Sequence, residues 1–393
     1  MITVNQAEEI ILDHLGSFGI ETIPFEQSLE RVLAEDIGAD RDFPPFDRVA
    51  MDGICIRYAD FESGQRSFEI AGVQPAGSPS LQLNSGQAIE IMTGSMLSTD
   101  ADTVIRYEDL RIESGVATIQ IDDVEYGQNI HKQGSDRKKD SVILKKNTSI
   151  NSAVIGVLTT VGKLLVDVYK APNVTIVSTG DELVDVEDRP LPHQIRKSNV
   201  HTLRALLLRY GIVARLVHLK DDKAQLEKTL SEILTSNDVV LLSGAVSKGK
   251  FDFVPEIMER LGVRKLFHRV EQRPGKPFWF GIQGNTRVFA FPGNPVSTFV
   301  CAIRFFEPWL KKSLQLQPEF EMAILGEDVQ FRPNLTYFLQ VKLTNSNGTL
   351  IAQPIKGNGS GDLANLVNVD AFMELPPDRN TFLKGEGFRV WRF

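Results

Sequence analysis

Three short glycine-containing segments each follow a stretch of sequence that predicts a buried β-strand. The predicted strands read NVTIVS, DVVLLSG and RVFAF, and the segments after them are residues 179–182, 245–252 and 292–297. In open α/β sheets, ligands bind beyond the carboxyl ends of the strands, where glycine-rich turns let backbone N–H groups approach an anion. One such segment is usually only a turn, but three that converge on one sheet edge predict a shared anion site.

Carboxylates occur in the same segments. Asp181 and Glu182 directly follow the first predicted strand, and Asp252 lies eight residues after Gly244 at a predicted helix start. Hard oxygen ligands brought together in this way suit Mg²⁺ that bridges phosphates. The alternative for Asp252 is a helix N-cap, and the alternative for the other two is a solvated turn. We favour magnesium because basic and glycine-rich residues accompany the acids.

The second segment contains a P-loop-like pattern that fails at its last position. Residues 244–250 fit G-x-x-x-x-G-K, but Phe251 follows where the motif needs Ser or Thr to bind magnesium. The pattern also comes late in its domain, so we exclude an ordinary nucleoside triphosphatase. The six histidines show no metal-ligand spacing, and the sequence contains neither C-x-x-C nor G-x-S-x-G.

The elements that must position these segments alternate between strand and helix patterns over residues 172–311. Alternating units of this length predict a mainly parallel sheet that is covered on both faces. Thr3 is a predicted cap of the first helix. The rest of the chain predicts helices in residues 1–40 and 150–161, an inserted β-rich domain in residues 43–134, and a small β-barrel or sandwich in residues 316–393.

The composition is typical of a soluble globular protein of two or three domains, with 393 residues, 42% hydrophobic and 24% charged. A net charge of −8 argues against nucleic-acid binding. Residues 189–280, however, contain 17 Lys and Arg against 9 Asp and Glu, which indicates either a solvated helix surface or an anion pocket. With no signal-peptide pattern or long apolar stretch, we expect a cytoplasmic protein without a membrane segment. Cys55 and Cys301 are expected to be buried free thiols.

Seven co-linear segments together resemble the molybdopterin molybdenumtransferase (MoeA-type) family of molybdenum cofactor biosynthesis. Residues 43–53, FPPFDRVAMDG, resemble the family's PPFDxSAMDG pattern. The match continues through residues 91–94, 101–104, 178–183, 243–252, 273–277 and 292–297. Since these segments occur in family order over most of the chain, the resemblance is far more specific than any one of them.

The resemblance implies a homodimer whose active site lies between the α/β domain of one subunit and the β domain of the other. Its implied domains are a discontinuous helical linker domain (1–42 with 135–170), an inserted β-rich domain (43–134), an α/β molybdopterin-binding domain (171–314) and a C-terminal β-barrel (315–393). The implied substrates are adenylylated molybdopterin and molybdate, with Mg²⁺ as cofactor, and the products are molybdenum cofactor and AMP. Further candidate partners are the upstream molybdopterin adenylyltransferase and recipient molybdoenzymes. Neither nucleic acid nor a membrane is an expected partner.

The family's functional residues carry over by position. The implied catalytic residues are Asp52, Thr93, Asp136, Glu182, Asp252 and Lys276. The implied substrate-binding residues are Thr179, Gly180, Ser243, Gly244, Ser247, Lys248, Pro292, Gly293, Asn294, Pro295, Ser297 and Ser360. The implied magnesium ligands are Asp181, Glu182 and Asp252. Lys276 and the metal would offset charge on AMP as it leaves.

Several positions depart from the family pattern. Ala245 stands where the S-G-G-V-S turn has glycine, Ser135 stands for the usual Glu before Asp136, and Lys197 replaces the acid of I-x-D-S-N. Both arginines of the C-terminal R-x-E-F-x-R pattern are absent, with Leu335 and Gln340 at their positions. At least one of these arginines is expected to help hold molybdate, and the sequence leaves open how Gln340 compensates.

Two other functions remain open from the sequence. One is a catalytically inactive homologue that binds cofactor or acts as a scaffold, although no fused extra domain supports it. The other is a tungsten-inserting paralogue, because the sequence does not show whether the protein uses molybdate or tungstate.

Overall fold

The computed structural model describes residues 1–244, 253–317 and 320–393. The chain divides into two compact units. The first consists of Met1–Ala34, Asn147–Ser152 and Leu165–Phe393, and the second of Glu35–Lys146 and Ala153–Leu164. In the described ranges, no helix has the length and apolarity needed to cross a membrane. The finer division into four domains stays a prediction.

The first unit begins with helix α1 (Val4–Leu12), which is followed by strand β1 (Ile20–Pro24). Thr3 caps the helix as predicted, because its hydroxyl accepts a hydrogen bond from Gln6 N and the Gln6 side chain accepts one from Thr3 N. The prediction that helix extends through residues 1–40 is wrong beyond Leu12. Gly19 has a φ of +86°, and the alternating residues that follow it form a strand instead.

The second unit contains ten strands, the whole of helix α2, and helix α3 except for its first residue. These elements are β2 (Ile37–Gly38), β3 (Arg48–Val49), β4 (Gly53–Ile56), α2 (Tyr58–Glu62), β5 (Ser67–Gln74), β6 (Gln87–Ile91), β7 (Thr103–Arg106), β8 (Leu110–Glu113), β9 (Val116–Ile119), β10 (Ile130–His131), β11 (Val142–Leu144) and α3 (Ser152–Thr160).

Six of these strands form one sheet in the order β7-β4-β6-β5-β9-β8, which confirms the predicted β-rich region. Its pairs are antiparallel except for β5 with β6. Helix α3 confirms the helix predicted in residues 150–161, and its buried residues are Val154 and Leu158. Cys55 in this sheet and Cys301 in the first unit are both buried and free, as predicted.

The α/β part of the first unit follows strand β12 (Leu165–Tyr169), which pairs antiparallel with β1. Its strands are β13 (Val174–Thr179), β14 (Leu183–Val184), β15 (Ile195–Arg196), β16 (Arg215–Leu219), β17 (Val239–Ser243), β18 (Arg264–His268), β19 (Gln272–Arg273), β20 (Trp279–Gln283) and β21 (Thr286–Phe291). Its helices are α4 (Asn199–Leu208), α5 (Lys223–Ser236), α6 (Val254–Arg260), α7 (Pro295–Cys301) and α8 (Glu307–Ser313), with a π-helical segment, Ala302–Phe306, between the last two.

The main sheet has the order β16-β13-β17-β21-β20-β18. The first four strands are parallel, as predicted, whereas β20 runs antiparallel to both of its neighbours. Because side chains alternate between faces, Leu241 of β17 packs in one apolar cluster with α4 and α7, while Val240 and Leu242 pack in another with α5 and α6. The sequence-based prediction did not include strand β20.

The C-terminal part of the first unit is a closed β-barrel, as predicted. Its strands are β22 (Glu321–Leu325), β23 (Val329–Gln330), β24 (Thr336–Ser346), β25 (Thr349–Pro354), β26 (Ala371–Leu375), β27 (Thr381–Phe382) and β28 (Gly387–Arg392). The barrel has the spatial strand order β24-β25-β22-β28-β26, and the pairing of β24 with β26 closes the ring. Strand β19 adds to β24 in parallel and so joins the α/β part to the barrel.

Candidate functional site

The three glycine-containing segments begin at the carboxyl ends of adjacent strands, as the sequence predicted. Strands β13, β17 and β21 are neighbours, and Ser243 is paired with Ser178 on one side and with Phe291 on the other. Gly244 N donates a hydrogen bond to Phe291 O over 3.3 Å. The residues that follow the three strands therefore start side by side at one edge of the sheet.

Asn199 connects the end of β17 to the segment after β21. Its Nδ2 donates to Ser243 Oγ over 3.0 Å and to the carbonyl of Gly293 over 2.8 Å. The N-cap position of α4 belongs to Ser198, whose side chain makes no capping hydrogen bond. The sequence did not predict this bridging role, and an amide in the first turn of a helix that begins near the strand ends is the signal that could have found it.

Glycine is required at two positions where the segments meet. Gly180 has a φ of +126°, and a Cβ there would lie 2.4 Å from Glu182 Oε2. Gly244 has a φ of +91°, and a Cβ there would lie 3.5 Å from the carbonyl oxygen of Thr179. Glycine adopts a positive φ at low cost. These two glycines therefore let the backbone come close to an anion at the point where we predict one.

Asp181 and Glu182 are exposed, and Asp221 of the loop after β16 lies beside them. Asp221 N donates to Asp181 Oδ1 over 3.4 Å. Burial, followed by the negative charges of Asp181 and Glu182, raises the pKa of Asp221. Sequence reasoning did not identify Asp221, because its proximity arises from the pairing of β16 with β13.

The acidic residues fit a magnesium ion that is also held by substrate. Within the described ranges, no three Asp, Glu, His or Cys side chains are close enough to hold a metal by themselves. Mg²⁺ commonly takes one or two carboxylates together with substrate phosphates and water, and Asp181 and Glu182 supply that number of oxygen donors. The third predicted ligand, Asp252, lies outside the described residues, as do Ser247 and Lys248.

A cleft of about 860 Å³ extends from this edge of the sheet to the barrel. Its α/β side includes Glu182, Gly244, Lys276, Pro292, Gly293, Asn294 and Ser297, and its barrel side includes Leu335, Gln340 and Ser360. The exposed cations Arg273 and Lys276 both line it. Asn294 Nδ2 donates to Ser360 Oγ over 2.8 Å, so the segment after β21 is bonded directly to the barrel loop. The cleft thus combines cations, polar groups and glycine backbone.

Gln340 is fixed in the wall of this cleft by the barrel itself. Its Oε1 accepts a hydrogen bond from Asn365 Nδ2 over 2.6 Å. A Cβ added to Gly357 would come within 3.3 Å of the same oxygen. Gln340 therefore presents a neutral amide at a position where the family pattern has a guanidinium, and Leu335 presents no polar group at the other.

The remaining predicted site residues lie in the second unit. Asp52 Oδ1 accepts hydrogen bonds from the backbone N and the hydroxyl of Thr93, each over 2.6 Å. These two bonds, the hydroxyl first, lower the pKa of Asp52. Asp136 Oδ1 lies 2.8 Å from His131 Nε2, and His131 Nδ1 accepts from Arg48 Nη2 over 3.0 Å. The structure therefore brings Asp52 and Thr93 together, and the catalytic role of these two residues and of Asp136 stays a prediction.

Family models match almost the whole chain. The MoeA N-terminal region (domain I and II) matches residues 2–162, a probable molybdopterin binding domain matches residues 175–312, and the MoeA C-terminal region (domain IV) matches residues 322–393.

Similar proteins match over their full lengths. A molybdopterin molybdenumtransferase from Synechocystis is 39% identical over 394 residues, which cover 99% of each chain. One from Staphylococcus aureus is 31% identical and covers 98% of this chain and 94% of its own. The crystal structure of a molybdopterin biosynthesis MoeA protein from Pyrococcus horikoshii aligns with a TM-score of 0.84 at 29% identity and covers 100% of both chains.

Proposed function

The chain belongs to the family of molybdopterin molybdenumtransferases, and from this premise we propose that it transfers molybdenum from molybdate to adenylylated molybdopterin. The products would be molybdenum cofactor and AMP. The observation that supports this most directly is the cleft lined by Glu182, Gly244, Lys276, the segment after β21 and the barrel loop at Ser360. A cleft with these groups suits a substrate that carries several negative charges.

The charged and the uncharged groups of the cleft would make different contacts with the substrate. Lys276, together with Arg273, would offset the negative charge of the substrate phosphates. Thr179, Gly180, Ser243 and the residues after β21 would present hydroxyl and backbone groups to the phosphates.

Mg²⁺ would be held by Asp181 and Glu182, with Asp252 as a third ligand. When bound, the ion would stabilise the charge that develops on the phosphate released as AMP. We further propose that the inserted domain contributes Asp52, Thr93 and Asp136, and that the protein works as a homodimer in the cytoplasm. The family resemblance supports these points.

Release of AMP provides the test of this function. We expect the purified protein, incubated with Mg²⁺ and adenylylated molybdopterin, to release AMP only after molybdate is added, as measured by chromatography. Tight binding of the substrate without AMP release would instead indicate an inactive cofactor-binding homologue. Replacement of molybdate by tungstate in the same assay tests for a tungsten-inserting enzyme, which would release AMP faster with tungstate.

A further inference from the structure

A second cavity, of about 450 Å³, lies in the first unit and shares no lining residue with the cleft. It is enclosed by the end of α4, by α8 with the π-helical segment before it, and by the barrel strands β22 and β28. Its volume falls within the range of about 300–1,000 Å³ that is usual for sites of small organic molecules. The charges and rings in its wall indicate which class of molecule would fit.

Glu307, at the start of α8, is the buried acid of this cavity. Its side chain is 5% exposed, and the hydroxyl of Tyr210 donates a hydrogen bond to its Oε1. Burial, followed by the negative charge of Glu307, raises the pKa of Tyr210, so the phenol keeps its proton. The same oxygen lies 3.9 Å from Arg209 Nη1 and 3.5 Å from Lys311 Nζ. One carboxylate therefore has two cationic neighbours as well as a neutral donor.

Positive charge is in excess in this cavity. Of the described residues that line it, three are cations and two are acids. The second acid, Glu321, is already bonded to the third cation, since Arg392 Nε donates to its Oε2 over 2.8 Å. The distances from Arg209 and Lys311 to Glu307 exceed about 2.7–2.9 Å, the usual length of a hydrogen bond between a cationic nitrogen and a carboxylate. Two cations thus share one negative charge, and the cavity has room for another.

Two aromatic side chains form part of the same wall. Trp391 of β28 is 7% exposed, whereas Phe320, just before β22, is 55% exposed. Arg389 lies over both rings, with its Cζ 4.1 Å from the centre of the Phe320 ring and 5.4 Å from that of Trp391. This guanidinium adds positive charge beside the rings. An exposed ring next to unmatched cations offers a planar anion both a stacking surface and a counter-charge.

We propose that this cavity binds a small organic anion that carries an aromatic ring, supplied either by an aromatic carboxylate or by a nucleoside monophosphate. The anionic group would lie between Arg209 and Lys311, where it balances the positive charge that Glu307 leaves unmatched. The ring would lie against Phe320 and Trp391. The site is separate from the cleft in which we propose molybdenum transfer, because the two share no lining residue.

Isothermal titration calorimetry of the full-length protein with naphthoate and with AMP tests this inference and distinguishes the two sources. We expect saturable binding of at least one of these probes, with an affinity that falls as NaCl is added. Naphthamide has the ring of naphthoate without its charge, and inorganic phosphate has charge without a ring. Each of these should bind at least tenfold more weakly than the preferred probe, because the site uses both features.

Substitutions locate the binding. Arg209→Met and Lys311→Met should each weaken it roughly three- to fivefold, because each removes one of the two cations that share Glu307. Lys312→Met is the matched control, since Lys312 is the next residue of α8 and does not line the cavity. AMP also fits the cleft, so Lys276→Met is included, and AMP binding that is lost in this variant but not in Lys311→Met lies in the cleft and counts against the cavity.

Three outcomes would overturn the proposal. They are the absence of any probe whose binding depends on Arg209 and Lys311, equal binding of naphthoate and naphthamide, and a loss in Lys312→Met as large as that in Lys311→Met. Thermal unfolding checks each variant, and Arg209→Met, which changes an exposed side chain, decides the question if Lys311→Met does not fold. Because the readout is binding, the test does not depend on whether the protein releases AMP.

Discussion

Glu182 is the residue on which the proposed chemistry depends most. It is exposed at the turn after β13, it lines the cleft, and its carboxylate lies beside Gly180, whose φ is +126°. The proposed function needs a carboxylate at this position, because the neutral amide of the same shape is a much weaker ligand for Mg²⁺.

We therefore expect Glu182→Gln to lower kcat for molybdate-dependent AMP release by about 100-fold or more, equivalent to about 3 kcal/mol in transition-state stabilisation. Glu187→Gln, which changes an exposed carboxylate in the loop after β14, is the matched control and should retain activity. Size-exclusion elution and thermal unfolding should be unchanged in both variants. Full activity in Glu182→Gln would show that the assigned role is wrong.

The residue types of the site could be predicted from the sequence, but the residues that contact them could not. Asp181 and Glu182 were predicted because they follow a strand directly. Asp221 was missed, since it comes close only through the pairing of β16 with β13, and no local pattern distinguishes its acid from other surface acids. Ser247, Lys248 and Asp252 stay predictions, because they lie outside the described residues.

Helix α4 contributes to the site through its first residue rather than through its apolar face. Asn199 donates from a single amide nitrogen to both Ser243 and Gly293, and so determines the spacing between the ends of β17 and β21. These two hydrogen bonds link the chain at the end of β17 to the segment after β21, where the pairing of the two strands ends.

Replacement of Asn199 by Ala is expected to lower the free energy of unfolding by about 1–3 kcal/mol, because a buried hydroxyl and a carbonyl lose their donor. Denaturation in urea measures this change. Asn199→Asp keeps the size but cannot donate, so it should be at least as destabilising. Asn5→Ala on the exposed face of α1 is the control, with a change within about 0.5 kcal/mol. Equal stability of Asn199→Ala and the control would contradict the role of the amide.

Elements with strong local patterns were predicted well, and those that depend on distant partners were not. Strands β13, β17 and β21 are short apolar runs between turn residues, which local sequence identifies. The helix predicted over residues 1–40 ended at Leu12, because β1 gains its hydrogen bonds from β12, more than 140 residues away in the chain. Strand β20 was also missed, although its partners β18 and β21 are close to it in the chain, so distant pairing does not account for it.

At the scale of the whole first unit, Arg304 joins three parts of the chain. It lies in the π-helical segment and is 1% exposed, and its guanidinium contacts Glu8 of α1 over 2.8 Å and Glu374 of β26 over 2.9 Å. It also stacks over Trp391 of the barrel at 4.4 Å. A buried cation that is shared between two carboxylates specifies how α1 and the barrel pack on the α/β part.

Removal of this cation should have a large effect on stability. We expect Arg304→Met to lower the free energy of unfolding by about 3 kcal/mol or more, because two partly buried carboxylates lose their common partner. Arg392→Met breaks a surface pair with Glu321 and should change stability by less than about 1 kcal/mol. Calorimetry of the two variants makes the comparison, and similar losses in both would show that the buried contacts of Arg304 contribute little.

The sequence by itself determined the family of this protein, because motifs in family order are local properties of the chain. Periodicity also predicted the parallel sheet, and the family resemblance predicted the terminal barrel. Only the tertiary structure decided which groups meet: the amide of Asn199 between two strand ends, Asp221 beside Asp181, Lys197 paired with Asp185, and Gln340 fixed by Asn365. Such contacts join residues distant in sequence, and their geometry arises from the packing of the sheet and the barrel rather than from local preference.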